Sequence, residues 1–113
     1  MNTVIKNEGD ISIISLTGSL DTNTSKEAED QINKLLDEGT TKLVIDLTEL
    51  DYISSSGLRI LLSTSKKLKS SGREMRICGL NETVNEVFEI SGFTMIFKVL
   101  KTKQEAIESF GLK

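Results

Sequence analysis

The sequence predicts an α/β domain with a mixed sheet of about five strands, and three patterns carry that expectation. Short apolar runs such as Leu43-Val44-Ile45-Asp46-Leu47 have the length and β-branched content of buried strands. Between them lie longer stretches whose apolar residues recur at helical spacing and which stop at a glycine. The first two strand-like runs instead follow each other across Glu8-Gly9-Asp10, which supplies hairpin turn chemistry. One antiparallel hairpin followed by strand–helix alternation gives the order ββαβαβαβα, with parallel pairing and right-handed crossovers after the hairpin.

Thr3 to Asn7 and Ile11 to Thr17 read as the hairpin strands. Gly18-Ser19-Leu20-Asp21-Thr22-Asn23 is then a polar loop, and Thr24 with Glu27 forms a capping-box pattern ahead of a helix. Ala28, Ile32, Leu35 and Leu36 fall on one face of that helix, and Gly39 stops it. Leu43 to Leu47 is apolar nearly throughout, as expected of a strand covered on both faces. The next helix is predicted from about Ser56 to Ser71, with Leu58, Leu61, Leu62, Ser65 and Leu68 facing the core and Gly72 ending it. Arg59, Lys66, Lys67 and Lys69 lie mostly off that face. Met75 to Gly79 is a further strand. Asn81 is placed to cap a short helix bearing Val84, Val87 and Phe88, which ends near Gly92. Thr94 to Val99 is the last strand, and Thr102 with Glu105 repeats the capping box before Ala106, Ile107 and Phe110.

Composition narrows the chemistry. The 113 residues suffice for one domain, 1–113, without room for a second core. No histidine and a single cysteine rule out zinc sites and Cys–His or Ser–His catalysis within one chain. The carboxylates show no spacing that suggests a shared catalytic or metal site, so an enzyme is not expected, nor a cofactor of the chain's own. Cys78 sits in the apolar run Met75-Arg76-Ile77-Cys78 and reads as a buried strand residue in a cytoplasmic protein. The net charge of −3 lacks the basic excess of a dedicated nucleic-acid binder. No stretch approaches the roughly 18 apolar residues of a membrane span, and no signal peptide is expected at Met1-Asn2-Thr3-Val4. A receiver domain would want an acidic cluster after its first strand, and a dinucleotide fold a glycine fingerprint there; neither is present.

What remains is the junction Asp51-Tyr52-Ile53-Ser54-Ser55-Ser56-Gly57-Leu58-Arg59, where three serines and a glycine open the second helix. A helix N-terminus offers unpaired N–H groups and a dipole that favours an anion. On physics alone three readings stay open: serines as caps, serines around a phosphate-bearing ligand, or a serine that is itself phosphorylated. No Walker-type lysine follows the glycine, so nucleotide hydrolysis has no support.

The same nine residues resemble the signature of STAS domains, in particular the bacterial anti-sigma factor antagonists. Gly18-Ser19-Leu20-Asp21 with Thr24 is similar to that family's Gly-x-Leu-Asp loop, and Val87-Phe88-Glu89-Ile90-Ser91-Gly92-Phe93 to a third stretch near its last strand. The three lie in register over essentially the whole chain. The resemblance implies a single STAS-type domain with helices mainly on one face of the sheet and a functional surface around the serines. In the family the junction often reads Asp-Ser-Ser/Thr-Gly, and a partner kinase phosphorylates the first serine after the aspartate. By that resemblance Ser55 is the phosphoacceptor, Ser56 follows it, and Ser54 stands where the aspartate would; Ser54 and Ser56 are minor alternative acceptors.

The function implied is partner switching. Unphosphorylated protein would bind an anti-sigma factor serine kinase and release a sigma factor; phosphorylation of Ser55 would end the binding, and a serine phosphatase would restore it. The ATP and magnesium belong to the kinase. Asp21, Thr22, Asn23, Ser54, Ser55, Ser56, Gly57 and Arg59 would face the partner, with Ser19 at the rim. Asp21 has a second reading as an Asx-type turn; Arg59, one helical turn after Ser55, is placed to reach the phosphate or an acidic group of the partner, with a second reading as a solvated surface residue. Tyr52 and Ile53 are expected to anchor the loop to the core. Alternatives are a module that senses a nucleotide or other phosphate-bearing small molecule, or a scaffold subunit of a transporter or stress-signalling complex.

Overall fold

Strands β1 (Asn2–Glu8) and β2 (Ile11–Leu20) pair antiparallel from Asn2↔Thr17 to Glu8↔Ile11, leaving only Gly9 and Asp10 in the turn. Gly9 has φ 61°, a conformation that a two-residue hairpin needs and side chains resist. The computed structural model describes residues 2–111, and beyond the hairpin it contains α1 (Ser25–Asp37), β3 (Lys42–Asp46), β4 (Leu50–Ile53), α2 (Ser55–Ser70), β5 (Glu74–Cys78), α3 (Glu82–Ile90), β6 (Val99–Leu100) and α4 (Lys103–Gly111). The sheet runs β1-β2-β3-β5-β6, parallel after the hairpin, and β4 pairs parallel with the far end of β2.

The expected α/β architecture is present, with six strands rather than about five. The additional strand is β4, whose residues read as part of a loop in the sequence. Leu50 and Ile53 are buried while Asp51 and Tyr52 are exposed, a pattern without the two-residue alternation that marks a half-buried strand. Tyr52 therefore does not anchor the loop to the core; it is 48% exposed, and Leu50 and Ile53 do the anchoring.

Alternation along the central strands divides the core in two. Ile14, Leu16, Leu43, Ile45 and Ile77 face α1, α2 and α3, meeting Ala28, Ile32, Leu61, Leu68, Val84 and Phe88. Ile11, Ile13, Val44 and Cys78 face the other way, beneath Ala106 of α4. Helices thus lie mainly on one face, with α4 alone on the other. Each fully buried Leu or Ile contributes about 1.5–3 kcal/mol relative to exposure, so this division holds the strand ends in place. On α2 the buried stripe is wider than its leucines suggest: Ile60 and Thr64 are buried, whereas Leu62 and Ser65 are only half-buried.

Two local expectations are corrected. Thr94 to Val99 is not a strand; Phe93–Met95 form a 3₁₀ turn, and only Val99 and Leu100 pair with Ile77 and Cys78. Phe93 and Phe97 turn inward to meet each other edge-on at 5.2 Å and Phe88 at 6.2 and 6.0 Å, which bends the segment back onto α3. The Thr24 capping box does not form either. Thr24 already has helical φ −106°, ψ −13°, unlike the extended backbone of a side-chain cap, and its hydroxyl turns back into the preceding loop. Asn81 does cap α3, accepting from Val84 N at 2.8 Å, while its Nδ2 donates to Leu50 O at 2.9 Å and ties α3 to β4. Thr102 caps α4 by accepting from Glu105 N at 3.1 Å.

Cys78 is buried, as its apolar run predicts. Burial, reinforced by the Asp46 carboxylate that its thiol contacts at 3.7 Å, pushes its pKa up to about 12. A thiol reagent at pH 8 is therefore expected to modify Cys78 only at the rate at which the domain opens. Immediate labelling of native protein, followed by absorbance, would contradict this burial.

Candidate functional site

The site is built at the place where β2 and β4 end side by side. Leu20 is in register with Ile53, and Ser54 N donates to Leu20 O at 2.9 Å, so the loops that leave these strands start as neighbours. One loop carries Asp21, Thr22 and Asn23 into α1; the other is the serine junction into α2. Thr22 Oγ1 and Ser56 Oγ meet across them at 3.3 Å. Residues more than thirty positions apart in sequence thereby share one surface.

Asp21 shapes its own loop. Its Oδ1 accepts from Asn23 N at 2.9 Å and Thr24 N at 3.2 Å, and its carbonyl accepts from Ser25 N at 2.8 Å and from the Ser25 hydroxyl. Thr24 Oγ1 accepts from Asp21 N at 2.9 Å and donates to Ser19 O at 2.7 Å. This is the Asx-type turn that an aspartate in a polar loop can form, and it takes the place of the capping box at the start of α1. Asp21 remains partly exposed, and Thr22 and Asn23 are exposed.

The three serines have different surroundings. Ser54 is the N-cap of α2: its backbone is extended, its Oγ accepts from Gly57 N at 3.4 Å, and its carbonyl accepts from Leu58 N at 3.0 Å. Ser56 leans toward Thr22. Ser55, the first residue of α2, is exposed, and its hydroxyl takes no hydrogen bond among the described residues. An anion on Ser55 would stand at the positive end of a 16-residue helix whose first turn contains no acidic side chain.

Gly57, expected to face the partner, is instead buried against the strand ends, where it sets how closely this helix approaches them. A Cβ there would lie 2.8 Å from Ile53 Cγ1, 2.8 Å from Leu20 Cγ and 2.9 Å from Leu20 O. Only glycine allows the first turn of α2 to rest on the two strand ends, and that contact brings the serines beside the Asp21 loop.

Sequence reasoning missed the groove between α1 and α2 that opens next to the serines. Its volume is about 350 Å³, and Lys26, Glu29, Ile60 and Ser63 line it together with Thr22, Ser56 and Arg59. The available signal was positional: Ser56, Arg59, Ile60 and Ser63 recur at spacings of three and four, and α1 follows the strand that neighbours β4. Lys26 is held by Asp30 at 3.0 Å across one turn of α1. Arg59 is exposed. Among the described residues no cluster of three or more His, Cys, Asp or Glu is arranged to hold a metal ion, and no helix is long and apolar enough to cross a membrane.

Comparison with known proteins agrees with this geometry. The chain is similar to BtrV of Bordetella bronchiseptica, provisionally named an anti-sigma factor antagonist, with 39% identity over 98 residues covering 87% of this chain and 84% of BtrV. It is also similar to the anti-sigma-B factor antagonist of Staphylococcus aureus, at 28% identity over 86 residues, or 76% of this chain and 80% of that one. Among solved structures, the Bacillus cell fate determinant SpoIIAA in its phosphorylated form superposes with a TM-score of 0.75 over 97% of this chain and 100% of SpoIIAA; the identity of 20% speaks to the fold alone. The STAS domain pattern matches residues 2–106, a span that contains the hairpin, both strand-end loops and the serine helix; the chain belongs to the STAS domain family.

Proposed function

We propose that this chain is an anti-sigma factor antagonist, which binds an anti-sigma factor serine kinase while Ser55 is unmodified and lets it go once Ser55 is phosphorylated. The observation that carries this reading is Ser55 itself: exposed, without an internal partner among the described residues, and beside a second partly exposed loop. The names of BtrV and of the Staphylococcus aureus relative support the antagonist role, and SpoIIAA, which shares the fold, exists in a phosphorylated form.

In the proposed step the kinase transfers the γ-phosphoryl group of ATP to Ser55 Oγ, the hydroxyl proton passes to a base of the kinase, and ADP leaves. The phosphoserine adds about 1.5 to 2 negative charges, which the dipole of α2 tolerates where they stand. The fold survives, and the unfavourable energy falls on the interface through bulk, desolvation and repulsion of partner carboxylates. A phosphatase reverses the state. Asp21, Thr22, Asn23, Ser54, Ser56 and Arg59 complete the docking surface, with Gly57 holding it together.

Incubation with the cognate kinase and ATP, followed by mass-spectrometric site mapping, tests this. Phosphate is expected on Ser55 and is expected to vanish in Ser55→Ala. Incorporation elsewhere, or none, overturns the assignment. A module that senses a small phosphate ligand would instead show a saturable thermal shift with that ligand and no kinase.

A further inference from the structure

We infer that Arg59 is the contact that reads the modification: its guanidinium takes an acidic group of the partner while Ser55 is unmodified, and pairs with the phosphate once it is on Ser55. The inference rests on the function proposed above and names the residue through which that switch is regulated. Ser55 and Arg59 stand four residues apart on α2, which puts them on one side of the helix. Helical side chains lean toward the N-terminus, a direction that puts the turn carrying Ser55 within reach of Arg59.

The guanidinium is available. It is exposed and takes no hydrogen bond or ion pair among the described residues. Glu29, a carboxylate lining the same groove, is not within ion-pair distance of it, and the neighbouring cation Lys26 is already held by Asp30. A planar fork of donors with no internal partner suits a carboxylate or a phosphate, either of which it can hold through two parallel hydrogen bonds. A phosphate four residues away on the same helix competes for that fork intramolecularly, an advantage that a carboxylate on a second protein lacks. Phosphorylation then acts twice, placing negative charge in the interface and withdrawing the cation that the partner used.

Phosphoserine installed at position 55 during translation allows the pairing to be tested by phosphorus NMR titration, with no partner present. The second ionisation of the phosphate is expected about half a pH unit lower in the parent than in Arg59→Gln, with Arg59→Lys retaining part of the difference. Identical titration in all three overturns the pairing. Calorimetric affinity for the cognate kinase tests the sharing: Arg59→Gln should weaken unmodified protein about tenfold and narrow the ratio between unmodified and phosphorylated affinities by a similar factor. An unchanged ratio overturns the inference. A kinase that ignores the unmodified parent protein overturns the proposed function instead, and the titration, which needs no kinase, separates the two failures.

Discussion

Phosphorylation of Ser55 is expected to lower affinity for the anti-sigma factor kinase more than a hundredfold, Ser55→Asp about tenfold, and Ser55→Ala hardly at all. The first figure corresponds to a penalty of about 3 kcal/mol, a reasonable cost for placing a doubly charged group in a desolvated contact. Aspartate carries half that charge and less bulk. Alanine removes a hydroxyl to which no internal hydrogen bond is assigned among the described residues, so nothing is left unsatisfied behind it. Calorimetric titration of the three forms against the kinase measures the series. The control is thermal denaturation: negative charge at the first position of α2 should leave stability unchanged or raise it by about 0.3–1 kcal/mol. Equal binding by the alanine and aspartate variants would remove charge as the off signal, and melting of the phosphorylated form would move the switch from the interface to the fold.

Gly57→Ala is expected to destabilise the domain by about 2 kcal/mol and to weaken partner binding with it. Alanine is the better helix former by about 1 kcal/mol, so propensity alone predicts the opposite sign. Packing decides. The added methyl would sit 2.8 Å from Leu20 Cγ and Ile53 Cγ1 and 2.9 Å from Leu20 O. Both side chains are almost completely buried, and the Leu20 oxygen is already bonded to Ser54 N, so the neighbours have little room to yield. Overpacking of this kind costs about 1–3 kcal/mol, with backbone contacts toward the upper end. Urea denaturation gives the stability change. A stabilised variant would mean that α2 slides away from the strands without penalty, and the Gly57 contact would no longer explain how the serines are held beside the Asp21 loop.

Much of this surface is legible in the chain, because its parts announce themselves locally. Ser54-Ser55-Ser56-Gly57 after an apolar run is a helix start, and Asp21 in a polar loop is a turn former; both readings rest on bonds between residues a few positions apart. Where local pattern and fold disagree, the disagreements share a physical cause. Thr24 has the spacing of a capping box, yet Asp21 three residues upstream turns the chain first and leaves Thr24 in helical geometry. Tyr52 is large and partly apolar, as a core anchor would be, but β4 presents it to solvent. Thr94 to Val99 has the composition of a strand, but Phe88, Phe93 and Phe97 meet edge-on and curl the segment. In each case a contact outside the pattern's own window outweighs a local preference.

The sequence by itself determined the α/β class, the hairpin and the helix positions, since hydrophobic period and turn chemistry are short-range properties of the chain; the hydroxyl proposed to carry the phosphate is singled out only by the resemblance of its junction to the STAS signature. Only the tertiary structure decided that β4 joins the end of β2, that the Asp21 loop stands against the serines, and that Arg59 lines a groove with Glu29 yet forms no ion pair among the described residues. Those facts depend on which strand ends lie side by side, and a pairing between residues thirty positions apart leaves no periodic trace in the residues that make it.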